Sequence, residues 1–153
     1  MGVKVTGIEQ TMTYIEKQAR KKVLDYLAIL KRVGRKTVTS IRTGDASNWN
    51  DQTGNLRNSI GFIIISDGTV VEENFTDTVS TGTSGVAAGR KYAQELAAKY
   101  PKGYVLIIVA GMEYAAYVEA IEGKAVLAQG RLLAKRLHKE LVAKYNAKAA
   151  SRK

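Results

Sequence analysis

Apolar residues recur at Ile8, Met12, Ile15, Ala19, Val23, Tyr26, Leu30 and Val33, and the same spacing runs on through Thr37 to Ile41. Steps of three and four place these side chains in one stripe, which predicts a long amphipathic helix with Gly34 as the point where it bends or ends early. Residues 45–54 are dense in turn formers, with Trp49 as their only large apolar side chain, and are predicted to form a surface loop. The apolar signal then changes period. Residues 60–65 are a continuous β-branched and aromatic run, Ser66-Asp67-Gly68-Thr69 is a hairpin turn signal, and Val70-Val71 follow, so two antiparallel strands are expected.

Residues 74–89 hold six Thr or Ser and three Gly, with Asp77 as the only charge, the composition of a mobile loop. A short helix is predicted over residues 91–100, stopped by Pro101 and Gly103, with Tyr92, Leu96 and Tyr100 on its inner face. Residues 104–110 are almost entirely apolar, the pattern of a strand covered on both faces and the best candidate for the centre of a sheet. Val126, Leu127, Leu133, Leu137, Leu141 and Tyr145 mark a second amphipathic helix, with fraying expected over residues 148–153. The fold class is α+β: a small, mostly antiparallel sheet of three or four strands, packed on one side by a long N-terminal helix, a short middle helix and a C-terminal helix.

At 153 residues this is one domain's worth of chain. Cysteine is absent, so disulfides, thiolate metal sites and cysteine nucleophiles are excluded. A secretory signal is not evident at the start, and the longest strongly apolar run, residues 103–112, is too short to span a bilayer, so a cytosolic origin without membrane attachment is expected. The 24 Lys and Arg exceed the 14 Asp and Glu by ten, and the excess is segregated. Residues 1–44 carry ten basic against three acidic side chains, residues 45–123 five against ten, and residues 124–153 nine against one. Two basic helices therefore bracket an acidic middle, either as solvated faces or as surfaces for an acidic partner.

Signals for catalysis are missing. The single histidine, His138, lies among Lys135, Arg136 and Lys139, which would repel a metal cation, and reads as a surface histidine. No Walker loop or G-x-G-x-x-G occurs, and Gly82-Thr83-Ser84-Gly85 fails the nucleophile-elbow pattern because Val86 stands where its second glycine belongs. Glu72-Glu73 should point to opposite faces of a strand, and Glu119 and Glu122 flank a turn; neither pair reads as a catalytic dyad. Met1-Gly2-Val3-Lys4-Val5-Thr6 and Asn74-Phe75-Thr76 are chance matches to myristoylation and glycosylation patterns.

Two segments stand out against this background. Thr53-Gly54-Asn55-Leu56-Arg57-Asn58-Ser59-Ile60 leads from a polar turn directly into a strand, where Gly54 supplies positive φ and Leu56 anchors the loop. Tyr114-Ala115-Ala116-Tyr117-Val118-Glu119 follows the apolar run 104–110 with small and aromatic residues and then an acid. In this order, with helices before and after, they resemble the small neck and tail-completion proteins of long-tailed bacteriophages, whose members carry a T-G-x-L-x-x-S-I strand start and a Y-A-x-Y-V-E segment. The likeness runs from about Ile8 to Tyr145. It departs after Glu119, where many relatives have Gly-Thr and then Pro-Phe and this chain reads Ala120-Ile121-Glu122-Gly123.

The resemblance implies a non-enzymatic virion protein without a cofactor. Such a protein would form a homo-oligomeric ring, a hexamer or dodecamer, at the head-to-tail junction or tail end. It would join a connector or head-completion protein to a tail-tube or tail-terminator protein and let genomic DNA pass. The family-motif positions, and hence the candidate interface, are Thr53, Gly54, Asn55, Leu56, Arg57, Ser59, Ile60, Tyr114, Ala115, Tyr117, Val118 and Glu119. In that setting residues 74–89 would be an arm that orders on a neighbour, and the basic helices of one subunit would meet the acidic middle of the next. The alternative, resting on charge alone, is a small basic DNA- or RNA-binding protein.

Overall fold

The computed structural model describes residues 7–43, 53–77, 79–113, 115 and 126–151. Helix α1 (Ile8–Thr43) is followed by a one-turn helix α2 (Asn55–Ser59), strands β1 (Ile60–Ser66) and β2 (Thr69–Asn74), helix α3 (Gly85–Ala97), strand β3 (Tyr104–Ala110) and helix α4 (Ala128–Ala150). This is the expected α+β fold with three strands, all pairings antiparallel. Several boundaries move. Gly34 does not end α1, which runs on to Thr43; it is buried where the helix crosses the sheet, and a Cβ there would lie 2.9 Å from the Phe62 ring. Helix α3 begins at Gly85 rather than at residue 91, and α4 continues to Ala150 instead of fraying from residue 148. The predicted loop over residues 45–54 and its Trp49 lie mostly outside the described residues.

The strand order is β2-β1-β3. The expectation that residues 104–110 form the central strand is therefore corrected: β1 is central, buried at every residue from Ile60 to Ile65, and β3 is an edge. Apolar runs of similar length cannot be ranked by pattern alone; β1 takes the centre because a two-residue hairpin ties β2 to one side of it. In that turn Asp67 and Gly68 both have positive φ, 46° and 81°. Asp67 is held there by two bonds to the residue before β3: its N–H donates to Gly103 O and its carboxylate accepts from Gly103 N, each at 2.9 Å. The β1–β2 register shifts between Ile64 and Ile65, and the pairing skips Val71, a bulge that re-aims the end of β2.

Helices cover both faces of the sheet, not one. Phe62, Ile64, Leu106 and Ile108 face α1 and pack with Leu30, Val38, Ile41, Leu56 and Val126. Ile63, Ile65, Val105, Ile107 and Val109 face the other way, onto Phe75, Val86, Ala93 and Leu96 around α3. The inner face of α3 is also revised: Tyr92 and Tyr100 are 45% and 42% exposed, whereas Gly85, Gly89 and Ala93, four residues apart, are buried. Small side chains win this face because α3 lies against backbone, where a tyrosine does not fit.

Helix α4 runs antiparallel beside α1. Gly130 abuts Ile41, His138 meets Tyr26, and Tyr145 meets Asp25, so the contacts descend α1 as they ascend α4. His138 is accordingly half-buried rather than a surface residue. Its Nε2 lies 3.1 Å from the Tyr26 hydroxyl, and Tyr26 packs edge-on against both His138 and Tyr104. The Tyr145 hydroxyl donates to Asp25 Oδ2 at 3.1 Å. Removal from water at this contact, with the adjacent Asp25 carboxylate, pushes the Tyr145 phenol above its usual value.

Candidate assembly surface

The first motif is a rigid junction. Gly54 sits at φ 77°, which a non-glycine residue adopts only at a cost, and a Cβ there would also strike Val79. One helical turn then brings Leu56, 2% exposed, into the core and sends Ile60 into β1. Ser59 closes the turn by donating from Oγ to Leu56 O at 2.8 Å. Thr53 is exposed and accepts from Asn55 N, and the Asn55 carboxamide oxygen accepts from Ser84 N and Ser84 Oγ at 3.2 and 3.1 Å. Arg57 is half-buried.

Asn58, in a position the motif leaves variable, proves to be the clamp. Its side chain is fully buried and forms three bonds to one stretch of backbone: Nδ2 donates to Val79 O at 2.7 Å and to Gly82 O at 3.0 Å, and Oδ1 accepts from Val79 N at 3.0 Å. A carboxamide carries both donors and an acceptor, so it pairs with a chain segment much as a neighbouring strand would. The expectation of a free arm over residues 74–89 is thereby corrected. Phe75 is buried, residues 79–82 are tied to Asn58, and residues 85–89 belong to α3.

Glycines allow this closeness. A Cβ at Gly82 would lie 2.4 Å from Gly54 O, at Gly85 2.3 Å from Asn55 O, and at Gly89 2.3 Å from Ser59 O. A Cβ at Gly111 would lie 2.4 Å from Gly89 Cα, and Gly111 N donates to Ser59 O at 3.2 Å. The backbone just ahead of the second motif is thus welded to the first motif through Gly89. Ala115 is buried in the core beside Met112, whose carbonyl accepts from Ala115 N at 2.9 Å. Tyr114, Tyr117, Val118 and Glu119 lie outside the described residues, as does the Glu119/Glu122 pair. Of the described motif residues, Gly54, Leu56, Ser59, Ile60 and Ala115 are buried within the chain; their contribution to any surface is to set backbone shape. The spacing Gly85, Gly89, Ala93 was the available sequence signal for this junction. Asn58 carried none.

Arg42, at the end of α1, is a second unforeseen residue. It is 7% exposed, and its Nε donates to Ile60 O at 3.0 Å, its Nη2 to the same oxygen, and its Nη1 to Thr76 Oγ1 at 2.9 Å. The guanidinium thereby caps the first carbonyl of β1. Burial pulls its pKa below the usual arginine value.

Charge is sorted by layer. Helix α1 holds nine Lys and Arg against three acids, and α4 six against one, so their side-by-side packing gathers most of the basic residues into one layer. Within it Lys17, Arg20, Lys21, Lys22, Arg32 and Lys36 on α1 and Lys139, Lys144 and Lys148 on α4 are exposed. Glu72 and Glu73 do point to opposite faces. Glu72 meets Lys31 Nζ at 2.6 Å on α1, and Glu73 meets Arg90 Nη2 at 3.0 Å on α3, pinning both helical layers to β2. These two acids of the middle segment are therefore engaged within the chain.

Two apolar features stand out among the described residues. Every side chain of residues 8–22 is exposed, including Ile8, Met12 and Ile15, so the first part of the α1 stripe, roughly 22 Å of helix, has no cover among the described residues. Between β3 and the start of α4 lies a groove of about 500 Å³ lined by Ile41, Leu106, Ile108, Leu127, Arg131 and Lys135. No family model, curated protein or solved structure matches this chain.

Proposed function

We propose that this protein is a structural subunit of the phage head-to-tail junction or tail end, a ring component that joins connector to tail tube and acts by shape rather than by catalysis. The two motif segments that carry the family resemblance support it, and one observation carries the reading furthest. Three separate segments converge at Ser59, Gly89 and Gly111 on a backbone-to-backbone junction, in a fold whose α1/α4 layer is predominantly basic. Glycines spent on holding backbone shape, with polar side chains turned inward to hold loops, suit a wedge that must present a fixed outline to its neighbours. In a ring the basic α1/α4 layer would face either the passing DNA or an acidic neighbour.

The test is assembly without the protein. Lysates lacking it should accumulate filled heads and separate tails, and purified protein should restore infectious particles. Infectious particles formed in its absence would overturn the reading.

The basic layer itself favours a second reading, a DNA- or RNA-binding protein. That reading requires tight duplex binding at low salt, falling steeply as salt rises because each neutralised phosphate releases counterions. Its signature would be loss of affinity on changing Lys21, Lys22, Lys139 and Lys144 to Glu, with particle joining unaffected.

A further inference from the structure

We infer that the exposed first turns of α1 dock into the β3–α4 groove of a second copy of this chain, making a head-to-tail contact between protomers. The occupant follows from charge. The uncovered stripe of Ile8, Met12, Ile15 and Ala19 is bordered along one side by Glu9 and Glu16, seven residues apart and so nearly in line on the helix. The groove has an apolar floor, Leu106 and Ile108 of β3 facing Ala134 of α4, and is bordered by Arg131 and Lys135. None of these four charged side chains has an ion-pair partner among the described residues.

Three ways of pairing two copies are then distinguishable. Stripe against stripe brings carboxylates together when the helices run antiparallel and sets them against the uncharged Thr11 and Gln18 border when they run parallel, and groove against groove brings cations together. Only stripe into groove covers apolar surface on both sides while setting Glu9 and Glu16 near Arg131 and Lys135. The stripe is also the continuation of one that the protomer itself buries from Leu30 onward, where Leu30, Val33 and Ile41 are each at most 4% exposed. The same row of side chains is thus core at one end of α1 and has no cover among the described residues at the other.

A stripe and a groove on different parts of one molecule make a heterologous contact, which repeats until it closes as a ring or runs on as a filament. The inference deepens the ring reading by naming the surfaces and rests on it for closure. The docking itself is tested on the purified full-length chain, separately from particle joining.

The experiment is sedimentation velocity across the micromolar range on wild type, Ile15→Glu, and the double variant Arg131→Glu/Lys135→Glu. All these positions are exposed, so circular dichroism and thermal unfolding should match wild type. Wild type should self-associate, and each variant alone should lose roughly thirtyfold or more in association, as removal of a central anchor does. Mixing the two variants is decisive. The first retains a sound groove and the second a sound stripe, so the mixture should form a one-to-one dimer that grows no further. A mixture that stays monomeric, a wild type that stays monomeric throughout, or association lost in Ile15→Glu but kept in the groove variant would each overturn the docking. Failure here with particle joining intact would leave the structural role standing and remove only this contact.

Discussion

Gly89→Ala reverses the usual effect of such a change. In the interior of an exposed helix, replacing glycine by alanine stabilises by about 1 kcal/mol, because glycine loses more backbone freedom on folding. At Gly89 the new methyl would lie 2.3 Å from Ser59 O, 2.9 Å from the Phe75 ring and 3.0 Å from Ser59 C, against an ordinary contact of 3.4–4 Å. Two of these atoms are backbone at the junction of α2 and β1, and Gly111 packs against Gly89 as well, so α3 cannot be relieved by a side-chain rotation. Overpacking of this kind costs about 1–3 kcal/mol, with the rigid surroundings placing this case near the upper end. Subtracting the helix gain leaves a net loss of about 2 kcal/mol. Urea unfolding should show a lower midpoint with an unchanged slope, and thermal unfolding a fall of about 4–8 °C. Ala87→Gly, on the exposed face of the same helix, serves as the control and should lose about 1 kcal/mol by propensity alone. A Gly89→Ala protein as stable as wild type, or more so, would show that the junction is not closed at backbone contact and would remove the basis for treating it as a rigid wedge.

Other substitutions probe the clamps. Asn58→Ala leaves Val79 N, Val79 O and Gly82 O without their side-chain partner and should destabilise by about 3 kcal/mol, with faster hydrogen exchange at the Val79 amide as the local readout. Arg42→Met keeps the apolar stem but strips the cap from Ile60 O, and a loss of about 2 kcal/mol in chemical denaturation is expected; unchanged stability would mean water replaces the guanidinium at no cost. The Tyr145 phenol is raised in the folded protein, so the unfolded chain releases that proton first. Stability from the Tyr145–Asp25 contact is then whole below the unfolded phenol value near pH 10 and is lost as pH rises through the folded value. Tyr145→Phe should flatten that alkaline limb, and an identical limb in the variant would locate the titration elsewhere.

Period and punctuation were enough to read the helices and the hairpin. The spacing from Ile8 to Ile41 marks one helix, and Asp67-Gly68 marks a tight turn, because both are local consequences of backbone geometry and side-chain direction. The chemistry of the first motif was legible to the same depth: a glycine at positive φ, then Leu56 as an anchor. What one residue does for another distant in the chain was not. Nothing near residues 104–110 says that they form an edge, since strand order depends on pairing between segments distant in the chain. Gly34 looked like a helix breaker and is instead a contact surface for Phe62, and residues 74–89 looked like free chain because their partner, Asn58, is a single polar side chain with no periodic signature.

The amino-acid sequence alone determined the element types, the segregation of charge into two terminal helices and the inward-facing stripe of α1, all of which depend on neighbours within a few residues. Tertiary structure alone decided that those two helices share a layer, that the sheet is covered on both faces, and that Gly111, just ahead of the second motif, meets the first motif at Gly89. It also decided which part of the α1 stripe is buried in the core. The physical reason is that burial and close approach are properties of pairs far apart in the chain, and a pattern of one residue at a time records what a side chain prefers without recording what it will touch.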